Sequence, residues 1–263
     1  LDQRHVLKNY RAGQYLKLPN LGELNIKWSQ VPGGVPKMVT VSKSASGNYF
    51  VGFMCEVEQA LKPSTGKVVG IDVGIKDVIV TSDNAHSGAP RFTYKYQRQL
   101  KKAGRKLSKK KKGSNGWHKQ RIVLAKIHEK IANSRKDFLH KLTTKLVSEY
   151  DVICVEDLNV AGILKNRKLS KAVADVGIGE LNRQINYKAE WYGKTVVKIS
   201  RWYPSTKTCS ACGKIREMKL SQRTYACECG LVIDRDLNAA INIKTVGERQ
   251  LSGATNPPEK VAA

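Results

Sequence analysis

The spacing of apolar residues changes along this chain, and each change marks a different kind of element. Over residues 1–58 short apolar runs alternate with Gly and Pro turns. Tyr15–Leu18 leads into Pro19-Asn-Leu-Gly22, residues 23–28 into Pro32-Gly-Gly-Val-Pro36, and residues 37–42 into Ser46-Gly47-Asn48 before residues 49–53. Period-two alternation bounded by such turns predicts a small antiparallel β unit of barrel-like form. Lys62-Pro-Ser-Thr-Gly66 then reads as a linker. Residues 67–74 and 78–81 make a hairpin around Ile75-Lys76-Asp77, and residues 91–94 are a candidate third antiparallel strand.

From about Tyr96 to Tyr150 the pattern turns helical, with a break at Gly113-Ser-Asn-Gly116. In the second of these helices Ile122, Ala125, Ile127, Ile131, Phe138, Leu139, Leu142 and Leu146 form a long apolar stripe. A strand over 152–155, a polar loop around 165–168, a helix near 179–192, a strand over Thr195–Ile199 and a final helix over 236–246 follow. The tail from Gly247 onward, with Asn256-Pro-Pro258, is expected to be poorly ordered. Hairpin strands followed by strands separated by long helices describe an α/β fold, a mixed sheet with helices packed on it.

Three apolar strands or helix starts carry carboxylates. Asp72 ends the run Val68-Val-Gly-Ile-Asp72, Glu156 ends Val152-Ile-Cys-Val-Glu156, and Asp234-Arg-Asp236 opens the last helix. Each alone has an ordinary reading as a turn residue, a solvated strand end or a helix cap. Together they supply hard oxygen ligands converging from separate elements, as a two-metal phosphodiester-cleaving site requires. Positions two apart on a helix differ by about 200°, so Asp236 is assigned to the metal, before the small Asn238, Ala239 and Ala240, and Asp234 to capping.

Charge narrows the partner. Against 22 Asp+Glu stand 47 Lys+Arg, a formal net charge of +25 over 263 residues, which favours a polyanion. A hydrophobic fraction of 41% supports a folded core and excludes a disordered basic tail. No apolar stretch approaches the roughly 20 residues that span a bilayer, and no secretory leader opens the chain. The expectation is a soluble, intracellular protein with no membrane partner.

Lys101, Lys102, Arg105, Lys106, Lys109, Lys110, Lys111 and Lys112 form the densest basic tract. Part of it can be a solvated face, but four consecutive lysines before a Gly/Ser break suit phosphate neutralisation. Tyr94, Tyr96 and Trp117 flank the tract and suit either base stacking or core packing.

Four of the six cysteines fall in two close pairs, Cys209-Ser-Ala-Cys212 and Cys227-Glu-Cys229. This order lies near the spacing of a zinc ribbon, where four thiolates close a tetrahedral structural site. Cys55 and Cys154 sit singly in apolar runs and read as small core residues. Lys207, Lys214, Arg216, Lys219 and Arg223 would put positive charge beside the acidic site.

Four stretches together, Gly70-Ile-Asp-Val-Gly-Ile-Lys-Asp77, Val155-Glu-Asp-Leu-Asn159, Tyr203-Pro-Ser-Thr-Lys-Thr-Cys-Ser-Ala-Cys-Gly213 and Cys227-Glu-Cys-Gly-Leu-Val-Ile-Asp-Arg-Asp-Leu-Asn-Ala-Ala240, resemble the TnpB family. These are transposon-encoded proteins similar to the RuvC nuclease half of type V CRISPR effectors and are often described as transposases. The match runs in order from about residue 15 to residue 250.

The resemblance implies an RNA-guided DNA endonuclease of RuvC-like, RNase H-type fold, with Asp72, Glu156 and Asp236 as ligands of two Mg²⁺ or Mn²⁺ and one structural Zn²⁺ on the cysteines. It implies a guide RNA from the transposon end and a target DNA as partners, and a place in the prokaryotic cytosol, nucleoid-associated when bound to DNA. In these terms residues 1–60 are a partial wedge-like β-barrel, 61–202 the nuclease core, 203–233 the zinc ribbon, 234–247 the final ligand-bearing helix and 248–263 a tail. One intervening residue in the second cysteine pair, where many relatives have two, departs from the pattern. So does a start inside the wedge without the helical recognition domain, which reads as an N-terminal truncation. The alternatives are a non-catalytic nucleic-acid-binding zinc-ribbon protein and a transposase in the strict sense.

Overall fold

The period-two stretch folds as two antiparallel hairpins. Strand β1 (Tyr15–Leu18) pairs with β2 (Gly22–Asn25), with Leu16 opposite Leu24. Strand β3 (Pro36–Lys43) pairs with β4 (Tyr49–Cys55) across a turn in which Gly47 takes a φ of 91°, a conformation that suits a residue without Cβ. Leu16 and Leu18 are buried and gather Leu24, Ile26, Val39, Val51 and Phe53, so the hairpins share a small core. They remain separate two-stranded sheets among the described residues, joined by side chains and not by ladder bonds.

This computed structural model describes residues 15–18, 21–30, 32–166, 169–219 and 221–253. The expected turn at Pro19-Asn20, the end of the loop at 167–168 and the tail with Pro257 and Pro258 lie outside them. Contacts divide the chain into two units: Leu1–Gln59 with Ala103–Lys126, and Ala60–Lys102 with Ile127–Ala263. The first contains the hairpins.

The second unit is built on a mixed four-stranded sheet in the order β6-β5-β7-β8. Strand β5 (Val68–Val73) pairs antiparallel with β6 (Ile79–Thr81) and parallel with β7 (Val152–Glu156), which pairs parallel with β8 (Thr195–Ile199). Residues 91–94 do not add a strand; α1 (Phe92–Lys95) stands there instead. Arg91 takes a left-handed φ of 46°, and Thr93 donates both its N–H and its Oγ1 to the Asp175 carboxylate, which curls the segment away from any sheet edge.

Two long helices follow, α2 (Gln97–Ser108) and α3 (Asn115–Glu149). After β7, and ahead of the loop expected around 165–168, α4 (Val160–Lys165) forms on an Asn159 cap, whose side chain accepts from the Gly162 N–H at 3.0 Å. It leads to α5 (Ser170–Val176) and α6 (Ile178–Tyr192), hinged at Gly177 with φ 75°. The cysteine segment carries a small hairpin, β9 (Thr224–Ala226) with β10 (Val232–Asp234), and runs directly into α7 (Arg235–Leu251).

Helix α7 continues past the Gly247 that suggested an end. A Cβ at Gly247 would lie 2.3 Å from Cys154 Sγ, so the glycine is there for close packing.

Alternation along the strands sets the layers. Val69, Ile71, Ile153 and Val155 pack with Leu139, Leu146, Leu181 and Ile185 on one face of the sheet. Cys154, Val197 and Ile199 pack with Ile243 and Val246 of α7 on the other. Because successive strand residues point to opposite faces, Gly70, Asp72, Cys154 and Glu156 all belong to the α7 side.

Candidate metal and nucleic-acid site

Asp72 and Glu156 stand at the same level of neighbouring parallel strands. Ile71 is paired with Val155, and each carboxylate is the next residue along. Gly70 lets α7 lie against β5: a Cβ there would come 2.1 Å from Ala240 O and 2.4 Å from Lys244 N. The helix therefore approaches the strand one residue before Asp72. Asp236, in its first turn, is one helical repeat ahead of Ala240 and shares that face.

Electrostatics link the three. Burial raises Asp72 from an ordinary 3.8 to about 7, with the nearby Asp236 and Asp234 charges adding to the rise and Arg235 opposing it. Burial also raises Glu156 from 4.5 to about 7, and the Asp72 charge adds to it. Buried carboxylates that repel one another favour either protons or a cation between them. Asp236 is held by protein cations: Arg235 donates from Nε and NH2 to Oδ1 at 3.1 and 3.0 Å, and Arg223 NH1 reaches Oδ2 at 3.5 Å.

Asp234 occupies the N-cap of α7 and accepts from Asp236 N–H at 2.8 Å and Leu237 N–H at 3.1 Å. The three carboxylates do not close to a common point. Among the described residues, the one group of three or more His, Cys, Asp or Glu whose ligand atoms lie within 4.8 Å of one another is Cys209, Cys212, Cys227 and Cys229.

The sulfur atoms of that group have the separation a single tetrahedral ion needs. Cys209 Sγ lies 3.7 Å from Cys229 Sγ, and Cys212 Sγ 3.6 Å from Cys227 Sγ. Four sulfurs about 2.3 Å from a central zinc are about 3.8 Å apart. Burial opposes ionisation of Cys209, but the N–H groups of Cys212 and Ala211 and the neighbouring thiols bring its pKa down to about 7. The donor set is all-thiolate with no open position, which suits a structural zinc.

Two buried asparagines tie this segment to the carboxylate helix: Asn238, one of the small residues after Asp236, and Asn242, for which the sequence carries no signal. Asn238 donates to Thr208 O at 2.7 Å and accepts from Ser210 N–H at 3.0 Å; Asn242 donates to Ser205 O at 2.8 Å and to Thr208 O at 2.7 Å. Both lie on one face of α7, four residues apart. Arg235 carries no separate signal in the sequence, where a residue between two aspartates looks like simple charge balance.

The basic residues divide. Lys101, Lys102, Arg105 and Lys106 are exposed on α2, and Lys109, Lys110, Lys111 and Lys112 are exposed in the connection to α3. Around the cysteines, Lys207 pairs with Glu217 and Lys214 with Glu228, while Arg216 donates to Ala226 O. Of that group Arg223 is the one directed at the acidic site. Tyr96 is buried with Lys95 and Lys130 over its ring, Trp117 meets Arg121 and His118, and Tyr94 is exposed.

The same strand-and-helix frame, with its cysteine segment, is what sequence comparison identifies. Residues 52–167 match the OrfB_IS605 family, described as "Probable transposase", and residues 179–243 match the Cas12f1-like TNB domain. The chain belongs to the TnpB family. It is 41% identical over 241 residues to a Streptomyces pristinaespiralis protein named "Putative RNA-guided DNA endonuclease", covering 90% of this chain and 60% of that protein.

It is 33% identical over 254 residues to the Escherichia coli "Putative RNA-guided DNA endonuclease InsQ", covering 89% of this chain and 62% of that one. A TnpB-like protein of Acanthamoeba polyphaga mimivirus is 31% identical over 230 residues, covering 81% and 44%. The chain thus spans about three fifths of the length of the first two relatives, and less of the third. Among solved structures, a Cas12f1-sgRNA-target DNA complex resembles it with a TM-score of 0.49 at 20% identity, covering 78% of this chain and 55% of that chain.

Proposed function

We propose that this chain carries the cleavage centre of an RNA-guided DNA endonuclease, a RuvC-like nuclease with an inserted zinc ribbon. The observation that carries this reading is the placement of Asp72 and Glu156 at one level of adjacent parallel strands, on the face where α7 presents Asp236. Three hard-oxygen donors, two of them raised to about 7 by burial and mutual repulsion, suit divalent cations. Magnesium or manganese ions held there would supply an activated water and stabilise the leaving oxygen of a DNA phosphodiester.

The protein's own residues prepare that step. Asp72 and Glu156 release their protons as the pH passes about 7, and the Arg235 guanidinium holds the Asp236 carboxylate in place by two hydrogen bonds. Arg223, half exposed and already directed at Asp236, lies where a phosphate would approach. The cysteine segment fixes the start of α7 through Asn238, Asn242 and the cap at Asp234. Guide RNA and target DNA are the partners that the relatives' names suggest, and a net charge of +25 suits both.

The test is Mg²⁺-dependent cleavage of DNA by the chain with a guide RNA transcribed from the transposon end. Asp72→Ala and Glu156→Ala should each abolish cleavage and leave nucleic-acid binding largely intact, while Asp234→Asn is milder because its oxygen can still cap. Cleavage by either alanine variant overturns the assignment. A strand-joined product would point to transposase chemistry instead.

A further inference from the structure

We propose that Trp202 is a stacking platform for an unpaired base of a single DNA strand passing the carboxylate site. Trp202 is 69% exposed, and its ring meets no other ring or cation among the described residues. The other three tryptophans are engaged: Trp28 on Phe53, Trp117 on His118 and Arg121, and Trp191 on Tyr187.

The backbone beneath the exposed ring is held firmly. Tyr203 N–H donates to Ser200 O, closing a tight turn with Arg201 and Trp202 at its tip, and Trp202 N–H donates to Ser200 Oγ at 3.3 Å. Arg201 donates to the Asp157 carboxylate, and Asp157 N–H donates to Ile199 O, so the turn is tied to the end of β7. On its far side Asn242 fixes Ser205 O. A rigid aromatic face loses little freedom when a partner covers it, which is the condition for a preorganised contact.

Its place in the fold selects the ligand. Ile199 is the register partner of Glu156, neighbouring strands are about 4.8 Å apart, and three residues of chain reach at most about 11 Å. The Trp202 backbone therefore stands within about 16 Å of the Glu156 backbone, a span of at most about five stacked nucleotides along a strand. Every base presents a face to an aromatic ring whatever its identity. Arg201 is already neutralised by Asp157, so the contribution expected here is that of the ring and not of a charge.

The inference rests on the nuclease reading only in taking DNA as the partner. It is tested by binding, so loss of cleavage and loss of stacking are separately visible. Fluorescence anisotropy of a short labelled oligothymidylate, and of the same strand with abasic sites, is measured without Mg²⁺ on the full chain. Trp202→Ala should weaken oligothymidylate binding about tenfold, leave abasic-strand binding within about twofold, and leave the salt slope unchanged.

Trp202→Leu, which keeps apolar bulk, should behave like alanine, and Trp202→Phe should retain most of the affinity. Melting temperature and zinc content establish that each variant is folded; if the alanine variant is not, the leucine and phenylalanine pair decides. Unchanged oligothymidylate affinity in Trp202→Leu, or an equal loss on the abasic strand, overturns the proposal.

Discussion

Lowering the pH from 8 to 5.5 in the absence of divalent cations should stabilise this protein. Asp72 and Glu156 take up protons near pH 7 in the folded chain but near 3.8 and 4.5 when unfolded. Between those values the folded state holds protons that the unfolded state lacks, so stability rises as the pH falls. The gain is complete below the unfolded values and is lost as the pH rises through 7. Each pH unit within the window is worth about 1.4 kcal/mol per proton, so one proton contributes about 2 kcal/mol between pH 7 and 5.5.

The two carboxylates do not add independently. The Asp72 charge is one cause of the rise at Glu156, so protonating one relaxes the other, and the pair delivers closer to one proton's effect than two. That corresponds to about 4–8 °C in melting temperature for a chain of this size. His140, lowered by burial and by Lys188, acts in the opposite direction below its ordinary 6.5, so the comparison with a variant isolates the site.

Thermal unfolding followed by circular dichroism should show Asp72→Asn melting above the wild type at pH 8 and close to it at pH 5.5. Mn²⁺ at pH 8 should raise the melting point of the wild type and not of the variant. Equal pH profiles for wild type and Asp72→Asn would refute the reasoning.

The other expectations are more direct. Elemental analysis should find about one zinc per chain, lost with destabilisation in Cys209→Ser or Cys229→Ser and kept in Cys55→Ala and Cys154→Ala; a metal-free protein with unchanged melting would contradict this. Gly70→Ala places a methyl group 2.1 Å from Ala240 O, so β5 and α7 must separate; a loss of about 1–3 kcal/mol by denaturant titration is expected, with cleavage falling further than stability. Replacing Lys109, Lys110, Lys111 and Lys112 with Gln should flatten the salt dependence of nucleic-acid binding by up to about four counterions, and an unchanged slope would place the phosphate contacts elsewhere.

What could be read from the sequence depended on how local the determining forces are. The β5–β6 hairpin, the long helices and the strands at 152–156 and 195–199 carry their periodicity within a few residues, and they formed where the pattern placed them. Residues 91–94 look like a strand by composition but become α1, because Asp175, more than eighty residues away, captures Thr93. Gly247 reads as a helix stop and is instead a contact glycine against Cys154, a distinction that only the partner reveals. The carboxylate ends of β5 and β7 were legible as strand ends; that they share one level required the register.

Helix α7 explains why the acidic and cysteine motifs occur as one continuous stretch. With about 100° of turn per residue, Asp236, Ala240, Ile243 and Gly247 fall on a single stripe, and that stripe meets the sheet at Gly70, Cys154 and Val197. Asn238 and Asn242 fall on another, and they hold Ser205 and Thr208 at the entry to the first cysteine pair. The position of Asp236 is thus bounded on one side by glycine-sized gaps in the sheet and on the other by the segment that carries the four cysteines. The hydrogen bonds of Asn238 and Asn242 therefore run from the entry of the first cysteine pair to the helix that carries Asp236, so loss of the cysteine pair in Cys209→Ser should be felt at the start of α7 as well as at the thiols.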